Sequence, residues 1–216
     1  MRSSNLAPMS KNAIATVAAQ EDVRQKMGDA ILSLVLRVPA SGEGEVAQPK
    51  ARSRALGRVA ARQASLMAGS LALPPGFLSW LTILPELLGV WRLQAQLVSD
   101  IAAVYGKTTA LGREQMLYCL FKHVSAQLFR DLVVRVGERY VVKAASLGFI
   151  QLAARTLGVK VTKNILGKSV SRLVPLIGAV GVGAYAYFDT TQVAKTAIEL
   201  FSKDIELDLS TLSGGS

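Results

Sequence analysis

The sequence predicts an all-α protein: a compact multi-helix domain with apolar helical hairpins suited to a membrane surface. Three observations carry this. Apolar residues recur at helical spacing along most of the chain, and no window sustains the alternation of a strand. An uncharged run from Leu173 to Phe188 has 16 residues, fewer than the roughly 20 that a spanning helix needs. A second run, between Arg62 and Glu86, has 23 uncharged residues but contains Pro74, Pro75 and Gly76. Adjacent prolines remove backbone donors and clash with the preceding turn, so this run reads as a helix–turn–helix rather than one straight span.

Composition bounds the rest. A chain of 216 residues suits one domain with a loose end. Half of it is hydrophobic and only 6% aromatic, so the core is built mainly from Leu, Val, Ala and Ile. Net charge is +10, but it is unevenly placed. From Lys50 to Arg172, 18 basic residues face five acids, a surplus of 13. Such a surface attracts phosphate, in lipid headgroups or in nucleic acid. A single cysteine, Cys119, excludes an internal disulfide, and a single histidine, His123, leaves little for metal or general-base chemistry. The apolar patch Ala13–Ala19 is short and followed at once by Glu21 and Asp22, unlike a signal peptide. The expected location is cytoplasmic, peripheral to or partly embedded in the inner membrane.

In chain order, Ser10 can cap a helix from Lys11 to about Arg37. Its charged middle, Gln20 to Lys26, predicts an N-terminal arm, residues 1–38, only partly packed. Pro39 to Lys50 reads as a linker, and 51–204 as the main helical domain. The next helix covers about Ala51 to Leu71, with Arg54, Arg58 and Arg62 as one basic stripe. Phe77 to Leu84 is a separate apolar piece, and Pro85 suits the first turn of a helix that stops at Gly106. Helical patterning then runs from Ala110 to about Tyr140, and again from Val141 to Leu157, where Gly158 ends it. Lys160, Asn164, Lys168 and Arg172 form a second basic stripe. Pro175 opens the last helix, in which Gly178, Gly181 and Gly183 let a partner backbone come close. Residues 205–216 alternate acid and apolar side chains with no partner strand in view, and are expected to be loose.

No catalytic, metal or cofactor site is expected. The three glycines lack the Lys-Ser/Thr of a phosphate loop, since Ala184 and Tyr185 follow them. Cys119 and His123 are four apart, but two ligands do not make a zinc site, and a core cysteine beside a partly exposed histidine explains the pair. Glu86 is expected to pair with Arg92 and Glu114 with Lys122. Tyr185, Tyr187 and Phe188 cluster at the polar end of the glycine run, as aromatics do at membrane interfaces and in cores alike.

The segments PPGFLSW, LPELLGVWRLQAQLVSDIAAVYG and RLVPLIGAVGVGAYAYFDTTQVAKTAIELF resemble the EcsC family of bacterial proteins. The likeness covers about Ala51 to Asp204 and rests on Gly76, Phe77, Leu84, Pro85, Arg92, Ile101, Tyr105, Gly106, Pro175, Gly178, Val193, Ala197 and Phe201. Where family members often carry an acid before the Leu-Pro pair, this chain has Ile83. The resemblance implies membrane association and a role near an ABC transporter linked to secretion. It supplies no catalytic residues.

The expected function is therefore an accessory or adaptor on the cytoplasmic face of a membrane. The hairpin and packing residues would be Pro74, Pro75, Gly76, Phe77, Pro85, Pro175, Gly178, Gly181 and Gly183. The headgroup-binding residues would be Arg54, Arg58, Arg62, Lys160, Lys168 and Arg172. Expected partners are anionic lipids and a membrane protein or transporter. A basic helical nucleic-acid-binding protein is the alternative, but no reader motif supports it. An enzyme ranks third.

Overall fold

A computed structural model describes the backbone of residues 11–71, 80–130, 133–136, 139–143, 145–167, 175–203 and 205–208, with side-chain surroundings for 21–69, 85, 87–130, 145–163 and 181–203. Six helices form the body: α1 (Lys11–Leu36), α2 (Pro49–Leu71), α3 (Trp80–Val104), α4 (Arg113–Phe121), α5 (Leu147–Gly167) and α6 (Pro175–Phe201). The helical architecture expected from the sequence is present. A small sheet joins it, with β1 (Val133–Val136), β2 (Arg139–Lys143) and β3 (Ile205–Asp208) in that order.

The sheet corrects two expectations. Residues 110–140 do not form one long helix: α4 ends at Phe121, and the chain returns as an antiparallel hairpin with Val136 opposite Arg139. Val133, Val134, Val136, Val141 and Val142 are β-branched, stiff at χ1 and better suited to a pleated surface than to a helix. Part of the tail expected to be loose is β3, which pairs in parallel with β2, Tyr140 opposite Ile205 and Lys143 opposite Asp208.

Helix α3 is central and packs against α1, α2, α4 and α6. Val98, Ile101 and Ala102 are fully buried, and Trp91 meets Phe121 of α4 edge-to-face at 5.4 Å. α3 begins at Trp80 and runs through Pro85 rather than starting there. Pro85 is exposed, so its ring has room, while the buried face from Val90 onward holds the helix in place. The C-terminus ends as expected at Gly106, whose φ is +67°. The Gly106 amide donates to the carbonyl of Ala103 and that of Lys107 to Ala102, the pair of bonds that closes a helix on a left-handed residue.

α1 is less peripheral than an arm. Met27, Ile31 and Val35 lie in the same core as α3, α4 and α5. α1 crosses α5 where Gly28 faces Gly158: a Cβ on Gly158 would lie 2.7 Å from the Gly28 nitrogen. Gly158 thus sits inside α5 at a backbone contact instead of ending the helix.

The segment between α1 and α2 is tied down. Ser41 Oγ donates to Asp100 at 2.7 Å, Gln96 donates to the carbonyl of Ala40, and the Val46 amide donates to that of Val104. Glu43 and Arg52 form a two-pronged ion pair, and the guanidinium hydrogen bond holds the Glu43 carboxyl below its usual range.

Candidate cationic groove

The helices that meet most extensively are α2 and α6. They run antiparallel, because Gly57 meets Ala194 while Ser65 and Gly69, later in α2, meet Gly183, earlier in α6. Small residues make this approach possible: Ala61 and Ala64 on α2, and Ala186, Thr190 and Ala197 on α6, are buried. Of the three glycines expected to pack closely, Gly183 does so. Gly181 is exposed with open space around it, and the surroundings of Gly178 lie outside the described residues. Pro175 opens α6 as expected. Pro74, Pro75, Gly76 and Phe77 lie outside the described residues.

Outward of this contact the two helices leave a groove of ≈ 420 Å³. Its floor is Gly57 and Ala194, where a Cβ on Gly57 would lie 2.9 Å from that of Ala194. Lys50, Arg54 and Arg58 line one wall and Lys195 the other. Among the described residues Glu199 is the single acid in the lining, and it pairs with Lys122 at 3.2 Å. Lys50, Arg54, Arg58, Arg62 and Lys195 are exposed and take no part in an ion pair among the described residues. The expected Arg54–Arg58–Arg62 stripe faces outward, with Arg62 one turn beyond the groove.

The second stripe is not brought to this place. Lys160 lies on α5, which packs on α1, and its amine donates to Ser125 at 2.7 Å. Lys168 and Arg172 lie outside the described residues. Sequence reasoning missed Lys50 and Lys195. Lys50 continues the four-residue spacing of the arginines, a signal that was readable. Lys195 belongs to the groove only because α6 docks antiparallel on α2.

Tyr187 forms one end of the groove, next to Arg58. Beside it the surface turns apolar. Leu66, one turn after Arg62, is 74% exposed, Phe188 59% and Tyr185 53%. Large apolar side chains exposed on the same two packed helices are a candidate interaction surface. Among the described residues no helix is long and apolar enough to cross a membrane.

A separate polar cluster lies on the inner side of α6. Asp189 accepts from the buried Gln94 at 2.7 Å and pairs with His123 Nε2 at 2.6 Å. Gln94 also donates to Thr190. These bonds tie the turn after α4 to α3 and α6. Cys119 is fully buried one turn before His123, and desolvation pushes its thiol pKa far up. The thiolate is the reactive form. Native protein should therefore resist a thiol reagent such as a disulfide dye, and denatured protein should react with one equivalent; fast labelling of the native state would refute the burial. The expected Glu114–Lys122 pair is absent: Glu114 pairs with Arg113, and Lys122 with Glu199. The side chain of Glu86 lies outside the described residues. Among the described residues no group of three His, Cys, Asp or Glu could hold a metal.

No protein-family model, curated protein or solved structure matches this chain.

Proposed function

We propose that this chain is a helical accessory or adaptor domain that docks on the cytoplasmic face of a membrane. One observation carries the reading: the outward side of the α2–α6 pair sets the cations Lys50, Arg54, Arg58, Arg62 and Lys195 beside the exposed apolar groups Leu66, Tyr185, Tyr187 and Phe188. A cationic band against headgroups and an aromatic and aliphatic edge at the acyl boundary is the chemistry of interfacial binding. The EcsC resemblance adds the setting, transport, secretion or envelope processes, with a membrane protein or transporter as second partner.

The Arg54, Arg58 and Arg62 side chains are exposed, so replacing all three by glutamine should leave the fold intact. Each basic residue near an anionic surface contributes about 1 kcal/mol, so the triple variant should bind anionic vesicles roughly a hundredfold more weakly. Vesicle co-sedimentation measures this. Unchanged affinity would remove the stripe from the docking surface. Salt-sensitive binding to duplex DNA, with no vesicle binding by the parent, would favour the nucleic-acid alternative.

A further inference from the structure

We propose that the α2–α6 groove is a binding site for a phosphomonoester, presented at the membrane by a lipid such as phosphatidic acid; this rests on the docking reading above. Three features single the groove out from a generally basic surface. It is concave, and its ≈ 420 Å³ falls within the roughly 300–1,000 Å³ of small-ligand sites. Its four cations come from two helices and converge across a floor of Gly57 and Ala194, where no side chain fills the space between them. Its one acid among the described residues, Glu199, is engaged by Lys122 from outside the lining, and none of the four cations takes part in an ion pair among the described residues.

The charge selects the ligand class. A phosphodiester headgroup carries one negative charge and two free oxygens. A phosphomonoester carries about −1.5 to −2 near neutral pH and three acceptor oxygens. Arginine and lysine bring five and three donors each, and Coulomb attraction rises in proportion to ligand charge. The surrounding surface also fits a lipid. A phosphate between Arg54, Arg58 and Lys195 would leave its ester oxygen free to point along the groove to Tyr187. Leu66, one turn past Arg62 on α2, and Phe188, next to Tyr187 on α6, are exposed apolar groups that would meet the glycerol and the start of the acyl chains. Thr191 and Ser202 are not needed, because their hydroxyls already donate to the carbonyls of Tyr187 and Glu199. A second groove, between α1 and α3, carries only Arg37 and Arg92 as cations among the described residues, two against four.

The test uses the full chain and phosphatidylcholine vesicles doped with phosphatidic acid, or with enough phosphatidylglycerol to match the surface charge. The expected result is binding about tenfold tighter to the phosphatidic acid vesicles, since the monoester brings up to about twice the charge into the groove. Arg58→Gln combined with Lys195→Gln should abolish that preference while circular dichroism stays unchanged. Arg62→Gln, outside the groove, should weaken binding to both vesicle types equally. Glycerol 3-phosphate should compete, and should shift the amide resonances of residues around Gly57 and Ala194. Equal affinity for the charge-matched vesicles, or a preference that survives the double variant, would overturn the groove site and leave surface docking standing. Binding to neither vesicle and no effect of glycerol 3-phosphate would overturn both. Glycerol 3-phosphate binding without vesicle binding would support the phosphomonoester site, assign it to a soluble ligand and remove the docking reading.

Discussion

Replacing Gly183 by leucine should destabilise the protein by more than about 3 kcal/mol, while Gly181→Ala, half a turn away, should stabilise it slightly. A Cβ on Gly183 would lie 2.9 Å from the carbonyl oxygen of Ser65 and 3.2 Å from its hydroxyl. The first of these is backbone and cannot rotate aside, so even alanine must push α2 and α6 apart. Overpacking of this kind costs about 1–3 kcal/mol, and the branched leucine exceeds it. Gly181 meets nothing within 4 Å and is exposed, so alanine there gains helix propensity, up to about 1 kcal/mol. Denaturant midpoints decide both signs. A Gly183→Leu chain as stable as the parent would mean that α2 and α6 do not touch at this point, and the groove built on their contact would go with it.

Deleting residues 1–38 should leave a chain that no longer unfolds cooperatively. α1 contributes Met27, Ile31, Leu34 and Val35 to the core, all at most 9% exposed. Burying a side chain of this size stabilises by about 1.5–3 kcal/mol, so the four together contribute roughly 6–12 kcal/mol as an upper estimate. That is comparable with the whole net stability of a domain, about 5–15 kcal/mol. Removing α1 also exposes Ile150, Ala153, Ala154 and Leu157 on α5, which should appear as dye binding and aggregation. Gly158→Leu tests the same contact without shortening the chain, because its Cβ would lie 2.7 Å from the Gly28 nitrogen and 3.0 Å from the Arg24 carbonyl oxygen. A truncated chain with a parent-like cooperative transition would return α1 to the status of a detachable arm.

Several of these features could be read from residues alone, because their causes are local. The extents of α1 and α2 follow from the 3.6-residue recurrence of apolar positions. The end of α3 follows from Gly106, which takes the left-handed conformation at a helix C-terminus without steric cost. The outward face of Arg54, Arg58 and Arg62 follows from their spacing of four and the small residues between them. The hairpin was also written locally, in the valines on either side of Gly137 and Glu138. There a short apolar run fits a helix face as well as a strand, and β-branching should have decided between them.

The remaining features depend on partners distant in sequence. The acid and apolar alternation of residues 205–208 permits a strand, but β3 forms only because β2 offers it a backbone to pair with, and that partner is not visible locally. Three glycines within one helical run look alike to any local rule. Only the docking of Ser65 and Gly69 against α6 makes Gly183 a contact and leaves Gly181 open. His123 and Asp189 meet because α4 and α6 share the central helix. The amino-acid sequence therefore determined a helical, basic chain with an arginine stripe and a glycine-bearing last helix. Tertiary packing determined that Lys195 stands across from that stripe, because antiparallel contact at Gly57 and Ala194 brings two helix faces together whose charges no periodicity could relate.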